Sequence, residues 1–268
     1  MLKSLTRSAK IYTKLQILHI RVHLEYEADF WIGIVGSFLR HIGGFVFVWT
    51  LFSRIRSVEG WTLWEMAFLY ALATIPLGLV EVFYDGQWEI WRLINRGEFD
   101  RLLIRPLSPA LQVITQISSI HGLGSVILGS GIVIQALITL HPAWSLAKSL
   151  YLIATLSGSF LIVGGLNYIS NCFFFFDQGS RMSLPLMVQN SVDFARYPLT
   201  LYARAAQVFI TWVLPFAFVA YYPTLLLLDK MNPPPLLSYL SPLAGLAVTA
   251  LAALVWRRCL ISYQGTGS

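Results

Sequence analysis

Six stretches of the chain carry long apolar runs: about 30–52, 62–84, 109–139, 144–175, 205–228 and 241–261. A helix needs about 20 apolar residues to cross roughly 30 Å of hydrocarbon, so each run is long enough to span a bilayer. The third and fourth exceed that length and are expected to tilt or project. Trp31, Trp61, Trp64, Tyr84, Trp144, Tyr221, Tyr222, Tyr239 and Trp256 fall near run ends. Indole and phenol rings favour that interface.

Residues 1–27 have a different pattern. Lys3, Arg7, Lys10, Lys14 and Arg21 share one helical arc, with Ile11, Leu15, Leu18 and Val22 on the adjoining stripe. This is the pattern of a basic amphipathic helix lying on an anionic leaflet. The pattern as a whole predicts an all-α integral membrane protein, with six transmembrane helices after an interfacial helix, in one domain over 1–268.

Composition agrees. The 268 residues are 56% hydrophobic and 12% charged, with mean hydropathy +0.66. Soluble domains are about one quarter charged. The net charge of +6 would raise nucleic acid as a partner for a soluble chain, but here its placement points to topology. With the N-terminus inside, fourteen of the 19 Lys and Arg fall on inner segments and four (Arg54, Arg56, Lys148, Lys230) on outer ones. That bias predicts both termini in the cytoplasm.

Two segments outside the runs are candidates for function. Residues 87–105, QWEIWRLINRGEFDRLLIR, are too polar to span and too apolar for a free linker. Trp88, Ile90, Trp91 and Ile94 mark one helical face, Gly97 breaks it, and Phe99, Leu102 and Leu103 mark a second. A short inner helical hairpin is expected, suited either to a protein partner or to lipid. Residues 177–204, with Asp177, Arg181, Pro185, Asp193, Arg196 and Pro198, are expected to form an irregular inner loop that holds a short helix before the fifth run. Residues 229–240 should form an outer loop around Pro233-Pro234-Pro235.

Within the runs, Arg40 and His41 lie near the middle of the first, where a charge is costly and faces protein or a wet cavity. Arg40 is read either as a substrate contact or as an ion pair with Glu65 or Glu81. Gln112, Gln116 and His121 in the third run, and Asn167 and Asn171 in the fourth, are read either as a translocation path or as interhelical hydrogen bonds. Gly122, Gly124, Gly129, Gly131, Gly158, Gly164 and Gly165 are expected to allow close helix packing.

Several chemistries find no support. There is no G-x-x-x-x-G-K-[ST], so ATP has no P-loop here. His19 and His23 are four apart with no carboxylate between them, and no metal site is expected. Cys172 and Cys259 are not expected to form a disulfide. No catalytic residue is assigned.

Three stretches carry a resemblance: GEFDRLLIRPLSP (97–109), RYPLTLYARAAQVFITWVLPFAFVAYYPTLLLL (196–228) and WRRCLISYQGTGS (256–268). With the order of elements, they resemble permease subunits of the ABC-2 (type V) exporter class over the whole chain. The resemblance implies that the chain is the transmembrane part of an ATP-driven exporter for a small amphiphilic or drug-like compound, with some relatives linked to viologen-like cations. It implies a separate ATPase subunit holding ATP and Mg, and a second permease, identical or related. It assigns 87–105 as the coupling element, with Trp88, Trp91, Arg92, Glu98, Phe99, Asp100, Arg101 and Arg105, and 1–27 as the connecting helix. The alternatives are an ATP-independent channel or scaffold and an intramembrane lipid-modifying enzyme.

Overall fold

The computed structural model describes residues 2–176, 183–231 and 234–263, with side chains from residue 10 onward. It is helical, and no strand occurs among the described residues; the one β-bridge, Val58 to Trp61, closes a turn. Helix α1, Leu2–Glu25, bends at Tyr26 into α2, Glu27–Phe52. Glu27 and Asp29 occupy the first turn of α2, where its dipole favours negative charge. Helix α3, Leu63–Tyr84, starts with a capping box between Thr62 and Glu65. It is apolar all round, and residues 66–78 are buried throughout, so α3 forms the centre of the bundle.

A 3-10 turn leads into α4, Ile90–Asn95; Gly97, at φ +66, reverses the chain into α5, Asp100–Leu103. Helix α6, Pro109–Ile114, is followed by a non-helical stretch and then α7, Leu123–Leu140. The third apolar run is therefore not one helix. It breaks at Thr115–Ser119, where polar side chains turn back on nearby backbone: Thr115 donates to Leu111 O at 2.8 Å and Ser118 to Val82 O at 2.6 Å. The crossing helix begins near Ile120.

Helix α8, Leu146–Asn171, and the last helix, Leu236–Ser262, pack along their lengths. A Cβ on Gly245 would lie 2.4 Å from Gly158 O, and one on Gly158 would lie 2.9 Å from Pro242 Cα. Further along, Gly165 meets Val248, and Cys259 Sγ reaches Cys172 O at 3.6 Å. The pairs advance together, so the two helices run parallel.

Two parallel crossings require a return between them. The sequence reading assigned that return to one helix at 205–228, and the structure corrects this. Helix α9, Ser183–Ser191, already lies in the bundle, with Gln189 on Asn167, and Arg196 reaches α2 and α3. Helix α10, Arg204–Val208, runs on as a π-turn to Val213, and after Pro215 the chain bends by 79° towards α11, Tyr221–Leu227. Pro215 has no N–H to continue the helix, which explains the break. The last helix is α12. It starts at Leu236, so the outer connection is shorter than 229–240. Among the described residues, five helices are long and apolar enough to cross a membrane, or six crossings with the bent pair as one. Asp177, Arg181 and Pro233 lie outside the described residues.

The α8–α12 seam has no room for a larger residue. Gly245→Val is expected to lower stability by about 1–3 kcal/mol through overpacking, whereas the same change at Gly43, where a Cβ meets nothing within 4 Å, is not. Thermal unfolding in detergent measures the difference.

Candidate functional site

The 87–105 hairpin is held from below and open above. Ile90, Leu93, Ile94, Phe99 and Leu102 are buried against Tyr168, Cys172, Phe174, Phe175, Trp256 and Cys259 at the ends of α8 and α12. Phe99 is fully buried, its ring centroid 5.1 Å from Phe175, 6.1 Å from Trp256 and 4.9 Å from Tyr263. Phe99 is therefore an anchor and presents no surface to a partner. Trp88 and Trp91 are half-buried rather than fully exposed. Arg92 pairs with Glu89 and, at 3.3 Å, with Glu98, so these charges are spent within the hairpin. Burial, and then the nearby Asp100 carboxylate, push the Tyr263 hydroxyl up to about 12. What remains outward is Arg96, Arg101, Leu103, Ile104 and Arg105, with Ile104 85% exposed. Sequence reasoning missed Ile104, although it ends the apolar face of Leu102 and Leu103.

Gln112 belongs to this unit. Its Nε2 donates to Leu102 O at 2.9 Å and Leu107 O at 3.0 Å, tying α6 to the hairpin. It thus lies with Gln116 outside the crossing part of the third run. Asn167 and Asn171 are buried at the end of α8; Asn167 donates to Gln189, and Asn171 donates to Asn167 O at 2.8 Å.

Helix α1 docks through polar groups. Tyr12, Gln16, His19 and His23 recur at helical spacing on the face towards the bundle, and Gln16 is buried. Tyr12 donates to Phe83 O at 2.8 Å; His19 and His23 meet Thr115 O at 3.0 Å and Ser118 O at 2.9 Å. Those carbonyls lie at the end of α3 and in the break of the third run, where helical partners are lacking. Burial raises the Tyr12 hydroxyl pKa, and a hydrogen bond with Gln16 partly opposes this. Of the predicted apolar stripe, Leu18 and Val22 are 56% and 49% exposed, as a lipid-facing side requires, while Ile11 and Leu15 are half-buried.

A second polar group lies midway across the bundle. Arg196 Nη2 donates to His41 Nδ1 at 3.0 Å, its guanidinium stands 5.3 Å from the Tyr70 ring centroid, and Nη1 pairs with Asp193 at 3.1 Å. Tyr70 donates to His41 O at 2.6 Å. His41 is buried, and its Nε2 has no partner among the described residues. Arg196 had been placed in an inner loop, and its distance of 155 residues from His41 hid the pairing. Arg40 is the more exposed of the two arginines and lies 3.7 Å from Glu81; Glu65 pairs with Lys230 at 2.6 Å. Asp193 is 62% exposed on the outer side of the cluster. A carboxylate at that depth requires protein or water beside it.

Arg196→Met strands His41 Nδ1 and Asp193. It is expected to cost roughly 2–3 kcal/mol, against less than about 1 kcal/mol for Asp193→Asn on the exposed side. Comparing the unfolding midpoints of the two variants checks the order.

The family model described as ABC-2 family transporter protein matches residues 38–267. No curated protein and no solved structure matches the chain significantly.

Proposed function

The chain belongs to the ABC-2 family of transporter proteins, a permease component of an ABC transporter that works with an ABC ATPase subunit, and from this premise we propose that it is an ATP-driven exporter subunit. Its load is a small amphiphilic compound, and the 87–105 hairpin is where the ATPase docks. The observation that carries the reading is the exposed tip of Arg101, Leu103, Ile104 and Arg105 on a hairpin whose other side is buried among the ends of α8 and α12. An apolar residue ringed by charges suits a protein contact. Force applied to the tip enters the two parallel helices directly.

Helix α1 forms the second contact with the ATPase, and both termini face the cytoplasm across a bacterial inner membrane. A second permease, the same or related, packs beside the Asp193–Arg196–His41 cluster and supplies the surroundings that Asp193 needs. The load passes along that boundary. A separate apolar cleft of about 250 Å³, at the end of α3 between α8 and α12, is lined by Tyr84, Phe160, Tyr168, Thr249 and Trp256, which suits an amphiphile. ATP and Mg sit on the ATPase.

A double change at the tip, Arg101→Glu with Ile104→Glu, is expected to weaken co-purification of the ATPase at least about tenfold, the loss of a central contact, and to abolish ATP-dependent efflux. The permease alone should keep its unfolding midpoint, because both residues are exposed. Undiminished association would overturn the docking assignment. Efflux that persists with an inactive ATPase would favour a channel.

A further inference from the structure

We propose that His23, Asp29 and His121 form a binding site for a divalent transition-metal ion of the zinc class. The ion would pin the junction of α1 and α2 to the start of α7. The proposal stands on geometry and does not depend on the transport reading.

Each of the three residues offers one ligating atom, and the three atoms lie within 4.8 Å of one another. In a tetrahedral zinc site such atoms stand about 3.3 Å apart, so binding would draw the three together. The set is two imidazoles and one carboxylate, which suits zinc, cobalt or iron(II) rather than calcium or magnesium. A fourth position is left for water.

The surroundings orient the rings. Ser118 O can only accept, so the His23 Nε2 that meets it at 2.9 Å must carry the proton. That leaves Nδ1 with its lone pair, the tautomer that a metal-bound histidine shows when a backbone carbonyl holds its other nitrogen. The His121 ring lies 5.9 Å from that of His23, edge to face. His121 Nε2 is buried without a partner among the described residues, and a polar atom left so is costly. The ring has little freedom to leave. A Cβ on Gly33 would fall 1.9 Å from His121 Cδ2, so α2 closes against the imidazole with only a hydrogen at position 33. Asp29, exposed in the first turn of α2, supplies the charge.

Three separate elements contribute: α1, α2 and the 3-10 turn at 120–122. An ion held there would stiffen the bend at Tyr26, the only link between α1 and the bundle along the chain. His19 is not a ligand in this arrangement, because its Nε2 caps Thr115 O.

The test uses the untagged full chain, purified in detergent, stripped with chelator and titrated with cobalt(II) by visible absorption and zinc(II) by calorimetry. One equivalent is expected to bind and to raise the unfolding midpoint, reversibly with chelator. Asp29→Asn and His121→Gln should each weaken binding at least about tenfold, and His19→Gln should leave it within about twofold. Asp29 is exposed, so its variant tests the site even if His121→Gln misfolds. Absence of binding to the wild type, or equal binding by Asp29→Asn, overturns the proposal. Loss in His19→Gln with retention in Asp29→Asn overturns it too, since the ion would then sit on the His19–His23 pair.

Discussion

Phe99 in the socket of Phe175, Trp256 and Tyr263 fixes how the non-spanning parts meet the bundle. Burying one such ring contributes about 1.5–3 kcal/mol, and its edge-to-face contacts add about 0.5–1.5 kcal/mol each. The socket belongs to the ends of α8 and α12, and those helices cannot slide apart easily. Gly158, Gly165 and Gly245 bring their backbones into contact along the seam. Hairpin, α8 and α12 therefore form one stiff body, with its open surface at Ile104. An ATPase pushing on that tip would move two crossings together.

The first helix is fastened in the opposite manner. Its described contacts with the bundle include hydrogen bonds from Tyr12, His19 and His23 to carbonyls that the breaks after α3 and α6 leave open. Each is worth about 0.5–1.5 kcal/mol net. Polar anchoring of this kind holds direction but yields to modest force. The hairpin is thus held by buried rings, and α1 by polar contacts.

Much of this was legible in the sequence, because membrane helices declare themselves by length and apolarity. The first, second, fourth and sixth runs became α2, α3, α8 and α12 with ends shifted by a few residues. The hairpin, with its reversal at Gly97, was legible from two short apolar faces. The third run misled, because Gln112, Thr115 and Ser118 were diluted by flanking apolar residues and their backbone bonds are not written in periodicity. The bounds of the fifth run and a short helix before it were legible, but not the 79° break at Pro215 nor the reach of Arg196 from its loop to α2 and α3. Arg196 is tolerated there because His41, Tyr70 and Asp193 surround it. The His23–Asp29–His121 cluster had no local signal, since His121 is remote in sequence from the other two.

A lever built from the hairpin, α8 and α12 keeps its internal distances while the rest of the bundle moves. Spin labels at Asn95 on the hairpin and Arg258 near the end of α12, both exposed and away from the docking tip, report whether hairpin and helix move as one in the complex with its ATPase. A rigid lever keeps the Asn95–Arg258 distance unchanged between nucleotide-free and ATP-trapped states, while the distance from Arg258 to a label on α7 changes. A hairpin that shifts against α12 while the helices keep their spacing would contradict it.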